Sequence, residues 1–232
     1  MSELLHFSEH TLQEIALIFM AIVYLLRIRW LFRFKKVGDR QAPTGLAGTT
    51  EGKGILFSWA AIAMPWTMES TRTKIFFYAQ FVIFHVGVVS AILLSFLIPY
   101  APQVLESRLV VIIFQVLIGA AFLVGCGRIV RRFTSKYVRA ISSPDDYFSL
   151  ILLTVWFGFA SFAVPNNYQQ GETILLIFFF LTAFFLMYVP FSKISHYLYY
   201  PFSRFWFGRS MGHRGVYPIR RGVKTEGVKY GN

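Results

Sequence analysis

A chain of 232 residues that is 56% hydrophobic and 19% aromatic, with 26 Phe and a positive mean hydropathy, has too little polar surface for a water-soluble domain. Its net charge of +12 falls in blocks beside apolar segments instead of one basic patch with interleaved aromatics, which argues against nucleic acid as a partner. The one cysteine, Cys126, excludes a disulfide framework and leaves no zinc or iron–sulfur ligand set within the chain.

The elements of an all-α integral membrane protein can be read in order. Met1 to Leu12 is a short polar lead with His6, Glu9 and His10, and the first span runs from about Gln13 to Leu31. Arg27, Arg29, Arg33, Lys35, Lys36 and Arg40 follow, a block that the bias of Lys and Arg toward cytoplasmic loops places inside, with the N-terminus outside. Acidic residues ahead of the span, basic residues after it and no small-residue cleavage site set it apart from a cleaved signal. Val37 to Lys53, rich in Gly and Thr, reads as a connector. Ile55 to Trp66 is apolar but only about half the length of the ~20 residues a span needs, so it reads as an interfacial or re-entrant element ended by Pro65.

The second span, Lys74 to Pro99, is long enough to cross and carries His85 about 16 Å along its helix. An imidazole at that depth needs partners for its ring nitrogens. They can come from a metal or cofactor iron, or from a carbonyl or hydroxyl on the next helix, which would make the residue structural. A short outer loop with Glu106 and Arg108 leads to the third span, about Leu109 to Gly127, followed by Arg128, Arg131, Arg132, Lys136 and Arg139. Ser142-Ser143-Pro144-Asp145-Asp146 is an N-cap with acidic first-turn residues that opens the fourth span, which reaches about Pro165. After a turn from Asn166 to Thr173, the fifth span extends from about Ile174 to His196, and a basic, aromatic tail runs from Tyr197 to Asn232.

Three basic blocks alternate with two nearly uncharged loops. That pattern predicts five transmembrane helices with the N-terminus outside and the C-terminus cytoplasmic, residues 1–207 forming the membrane domain and 208–232 a basic tail. His196 closes the fifth span just ahead of an interfacial belt of Tyr197, Tyr199 and Tyr200. On antiparallel helices His85 and His196 both fall in the inner half of the bilayer, where two facing imidazoles can bind a haem iron from opposite sides. Their estimated depths differ by a turn or two, about 5 to 10 Å. Gln80 and Gln115, amides inside spans, can serve as glue between helices or as donors to a quinone carbonyl.

Phe84-His85-Val86-Gly87 resembles the Phe-His-hydrophobic-Gly ligand motif of respiratory nitrate reductase gamma subunits, and Pro190-Phe191-Ser192-Lys193-Ile194-Ser195-His196 resembles their last-span Pro-Phe-Ser-(Arg/Lys)-x-x-His motif. The inner loop from Arg131 to Asp146 is similar as well. Pro65-Trp66-Thr67-Met68-Glu69-Ser70-Thr71-Arg72 resembles the branch found in heterodisulfide-reductase membrane subunits and the membrane cytochromes of sulfate-reducer redox complexes. The resemblance implies a membrane cytochrome b fold with His85 and His196 as axial ligands of haem b. In that family a second haem has further ligands where this chain has Ser95 and Phe178, so one haem is expected here.

The function implied is a b-type cytochrome subunit of a respiratory oxidoreductase complex in a prokaryotic cytoplasmic membrane. It would relay electrons between menaquinone or another quinone and a cytoplasmic iron–sulfur subunit resembling heterodisulfide reductase, alongside further membrane and multihaem cytochrome c subunits. Arg72, Lys74, Arg128 and Arg131 are candidates to pair with haem propionates, and Ser95, Arg108, Gln115 and His10 are candidates for a quinone site toward the outer face. The alternative is a non-redox anchor or assembly subunit with two structural histidines. A secondary transporter fits less well, since the spans carry almost no acidic residues and show no repeat.

Overall fold

The computed structural model describes residues 1–34, 38–43, 45, 48–67 and 69–219, with the backbone alone at 69 and 70. Lys35, Lys36, Met68 and the tail from 220 onward lie outside the described residues. The described residues contain helices and turns and no strand. Five helices are long and apolar enough to cross a membrane: α1 Glu3–Phe32, α3 Ile75–Tyr100, α4 Arg108–Thr134, α5 Pro144–Ala163 and α6, whose regular part is Thr173–Tyr188. Two further helices are α2 Glu51–Ala60 and α7 His196–His213.

The chain divides into two compact units, one of residues 1–34 and 76–196, the other of residues 35–75 and 197–232. In the first, α4 packs along α5, and α6 packs against both α5 and α1. Its core is built from Leu94, Ile118, Phe157, Ala160, Phe178 and Phe179, all essentially free of solvent contact. Small residues set the closest approach. Gly87 lies against Ala121, where a Cβ would overlap the methyl group, and Gly125 of the Gly-Cys-Gly stretch lies against Thr154.

The helix starts and stops follow from local chemistry. Ser143 caps α5 in a capping box: Asp146 Oδ2 accepts from the Ser143 amide at 2.7 Å, and Pro144 follows at the first helical position. The first helix begins near Glu3, ten residues ahead of the expected start at Gln13, because Ser2 caps it by accepting from the Leu5 amide at 3.2 Å. A π-helical turn over Phe7–Leu12 keeps Ser8, Glu9 and Gln13 on one buried face of this extension. The fifth span also differs from expectation. Pro190 cannot donate to a helical ladder and restricts the residue before it, so α6 gives way to short turns over Val189–Phe191 and Lys193–Ser195. His196 is therefore the first residue of a new helix, α7, and not the end of a continuous span.

In the second unit α2 and α7 meet through Gly54, Gly208 and Gly212, whose missing side chains leave room for the facing backbone. Trp59 Nε1 donates to the Pro201 carbonyl at 3.0 Å, and Arg209 Nε donates to Glu51 at 2.8 Å. Asp39 accepts from Arg214 Nε at 2.6 Å and Ser210 Oγ at 2.7 Å, and His213 Nε2 donates to the Gln41 carbonyl at 3.0 Å. The Arg214 guanidinium holds the Asp39 carboxyl far below the usual carboxylate range. Tyr217 closes this small core against Phe57 and Phe207.

Candidate functional site: the paired histidines

His85 and His196 come together in the first unit. Their ring centroids lie 6.2 Å apart with the ring planes at 81°. His85 sits a third of the way along α3, where its Nδ1 lies 2.7 Å from the carbonyl of Phe81, one turn back in the same helix. His196 Nδ1 lies 3.0 Å from the carbonyl of Lys193. A carbonyl oxygen can only accept, so both rings carry a proton on Nδ1, and in the neutral imidazole that leaves the lone pair on Nε2. An Nδ1–H held by a carbonyl with Nε2 left as donor is the usual state of a metal-ligating histidine, because the hydrogen bond fixes tautomer and ring orientation.

The spacing suits one ion between the rings. Two imidazoles joined to it by bonds of about 2 Å place their centroids about 6 Å apart. The two rings meet although α6 ends at Tyr188 and two short turns separate it from His196. His85 is half-buried and His196 exposed, so neither residue is closed off from solvent. Among the described residues no group of three or more His, Cys, Asp or Glu side chains can hold a metal ion. Two imidazoles are too few for a bare ion, and they match an iron whose other positions are filled by a macrocycle. Haem thus fits the residues present.

Aromatic and cationic side chains surround the pair. The Phe81 ring lies 4.1 Å from that of His85 with the planes tilted by 43°, and Phe84 packs edge-on against Phe157 at 5.2 Å. The Arg128 guanidinium lies 4.9 Å over the Phe84 ring and that of Arg131 lies 4.3 Å over Phe77, so two of the four expected propionate partners stand close to the helix that bears His85. Arg72 and Lys74 are exposed and belong to the second unit.

No hydrogen bond or ring contact joins the expected quinone residues to one another. Ser95 is 3% exposed, with its hydroxyl turned to the Ile92 carbonyl at 2.8 Å. His10 lies 4.7 Å from His6 with the rings tilted and meets Tyr100 edge-on at 5.3 Å. Arg108 is exposed at the start of α4 and Gln115 is half-buried two turns on; neither forms a hydrogen bond to Ser95 or His10. Phe178 has no exposed surface and stacks on Trp156 with planes 13° apart. Sequence reasoning overlooked Gln13, whose Nε2 donates to the Ser95 carbonyl at 2.9 Å while its buried Oε1 has no hydrogen-bond partner. Glu9, four residues earlier on the same face, is the clue that could have exposed this polar stripe.

Sequence reasoning also missed the network that holds the His196 segment. Asp145 and Asp146 read as helix-capping residues alone, yet both bond to Lys193. Comparison with protein-family models, with curated proteins and with solved structures gives no match to this chain.

Proposed function

We propose that this chain is a b-type cytochrome subunit of a membrane redox complex. In this reading the termini face opposite sides, the N-terminus out and the C-terminus in, and the chain passes electrons between a quinone in a prokaryotic cytoplasmic membrane and an iron–sulfur partner on the inner side. The observation that carries it is the approach of His85 and His196 to a centroid distance of 6.2 Å with both Nδ1 atoms held by carbonyls.

His85 and His196 would hold the iron through Nε2, their Nδ1 atoms being fixed by the Phe81 and Lys193 carbonyls. Haem bound there supplies one-electron oxidation and reduction, with a potential set by its ligands, its burial and nearby charge. Arg128 and Arg131, at the end of α4 with their guanidinium groups over the rings of Phe84 and Phe77, would provide cations for the propionates. Phe84, Phe157 and the apolar faces of α3 and α5 keep water from one side of the pair. The quinone reading rests on His10, Tyr100 and Glu14 near the far end of α3, where Tyr100 donates to Glu14 at 2.7 Å and meets the His10 ring edge-on. The second unit, tied together by Asp39–Arg214 and Glu51–Arg209, presents a folded surface to the iron–sulfur partner.

The test is reduction of the purified protein by a menaquinol analogue in liposomes. A b-type reduced spectrum that appears with quinol and is reoxidised by the co-purifying iron–sulfur subunit supports the reading. A colourless, well-folded preparation leaves the chain as an anchor or assembly subunit.

A further inference from the structure

We infer that Asp145 and Lys193 are positioning residues that hold the His196 ring in place across the break at Pro190. The inference rests on the reading of His85 and His196 as haem ligands.

The two histidines are held in different ways. His85 stands inside a regular helix, and its ring bonds to the carbonyl of the preceding turn, so the helix alone fixes it. His196 follows two short turns and has no helix before it. A ligand on such a segment keeps its place only if other groups fix the backbone beneath it.

Asp145 does this with one carboxylate. Oδ1 accepts from the hydroxyl of Tyr188, the last residue of α6, and Oδ2 accepts from the backbone amide of Lys193 at 3.0 Å. The same carboxylate thus grips the chain on both sides of the break. Ser149 supports it, 2.9 Å from the Tyr188 hydroxyl and 3.4 Å from Oδ1. Lys193 then links this clamp to the ligand: its amide is held by Asp145, and its carbonyl accepts from His196 Nδ1 at 3.0 Å. Its side chain is a second tether, with Nζ donating to Ser143 Oγ at 2.7 Å and Asp146 Oδ2 at 2.8 Å. Asp146 is fixed in turn by the Ser143 amide and lies 3.9 Å from Arg132.

The Lys193 side chain is 59% exposed, so its ion pair contributes little to folding. The arrangement instead fixes orientation. The carbonyl that receives Nδ1–H belongs to the residue whose amide and ammonium groups are both tethered to the start of α5. Through it the α5 N-terminus sets the tautomer and direction of a ring on another segment.

The test uses full-length protein in nanodiscs with Asp145→Ala, Lys193→Gln, Lys193→Arg and, as a control away from the clamp, Ser161→Ala. Haemin affinity should fall about 10- to 100-fold in Asp145→Ala and by less in Lys193→Gln, the size usual for losing a partner behind a metal ligand. The low-spin bis-imidazole signature in electron paramagnetic resonance should broaden or split in both, while Lys193→Arg and Ser161→Ala keep that of the wild type. A readout that needs no haem is the ¹⁵N spectrum of the histidine rings in the apoprotein. Asp145→Ala should shift His196 from the Nδ1–H form to a mixture and leave His85 unchanged. A folded Asp145→Ala variant with wild-type His196 tautomer overturns the inference. If that tautomer does shift but His85→Ala and His196→Ala, measured alongside, bind haemin as the wild type does, the clamp stands and the ligand reading fails.

Discussion

Ten residues separate His85 from Ser95 on α3, about 15 Å of helix, yet their surroundings differ in kind. At the His85 end two imidazoles approach each other, neither residue closed off from solvent, with two guanidinium groups nearby. At the other end Ser95 turns its hydroxyl back on its own helix, and Phe178 packs without solvent contact against Trp156 and Phe179. The indole of Trp156 donates to Thr182 at 2.9 Å, so even the polar atom of this cluster is satisfied within the core. The difference is that between reachable polar groups and closed packing. A site needs donor atoms aimed at a common point and left reachable. A filled core needs only complementary apolar shapes and closed hydrogen bonds.

Removing the aromatic plug tests this contrast with the largest effect. Phe178→Ala deletes a fully buried ring and should destabilise the protein by about 3–5 kcal/mol, read as a lower midpoint in thermal or denaturant unfolding. Haem content per folded chain should stay at the wild-type value, since the Phe178 ring contacts Trp156 and Phe179 and neither histidine. Loss of haem in the folded variant would move the cofactor to the Ser95 end.

A moderate effect comes from the small residue beside His85. In Gly87→Val the added side chain meets Ala121, forcing α3 and α4 apart at a cost of about 1–3 kcal/mol. Because Gly87 lies two residues from His85, haemin affinity should drop along with stability. Unchanged affinity would mean that the α3–α4 contact does not set the position of the ring.

The smallest effect concerns the far end, where the Ser2 hydroxyl and amide bond to Glu172 ahead of α6. These bonds hold the Glu172 carboxyl below its usual value. A folded-state pKa lowered in this way gives a tether that is fully present above the unfolded value of about 4.3 and is lost as pH falls through the folded one. Hydrogen exchange of the Leu4 and Leu5 amides, corrected for intrinsic rate, should show constant protection from neutral pH to about 5 and less below about 4. Glu172→Gln should remove that pH dependence, and the approach of His85 to His196 should respond to neither change.

Much of this architecture is legible in the sequence. Spans two to four are long uninterrupted apolar runs, and the Ser143–Asp146 cap announces the start of α5 by its residue types alone. His85 and His196 stand out because an imidazole in an apolar segment is costly. The start of α1 was hidden because Ser8, Glu9 and Gln13 make its first turns look like a polar tail, although a helix can bury such residues on one face while Leu4 and Phe7 point outward. The end of α6 was hidden for the opposite reason: apolar residues continue through Val189-Pro190-Phe191, so hydropathy runs on where the hydrogen-bond ladder stops. The clamp on Lys193 joins residues 48 positions apart and leaves no local signal at all.

The central claim is that one iron is held between His85 and His196, and the most direct measurement is a pyridine haemochrome titration against protein concentration. Wild-type protein should contain one haem b per chain, and His85→Ala and His196→Ala should each lose it while still inserting and folding. Two haems per chain, or haem contents in both variants equal to that of the wild type, would contradict the account.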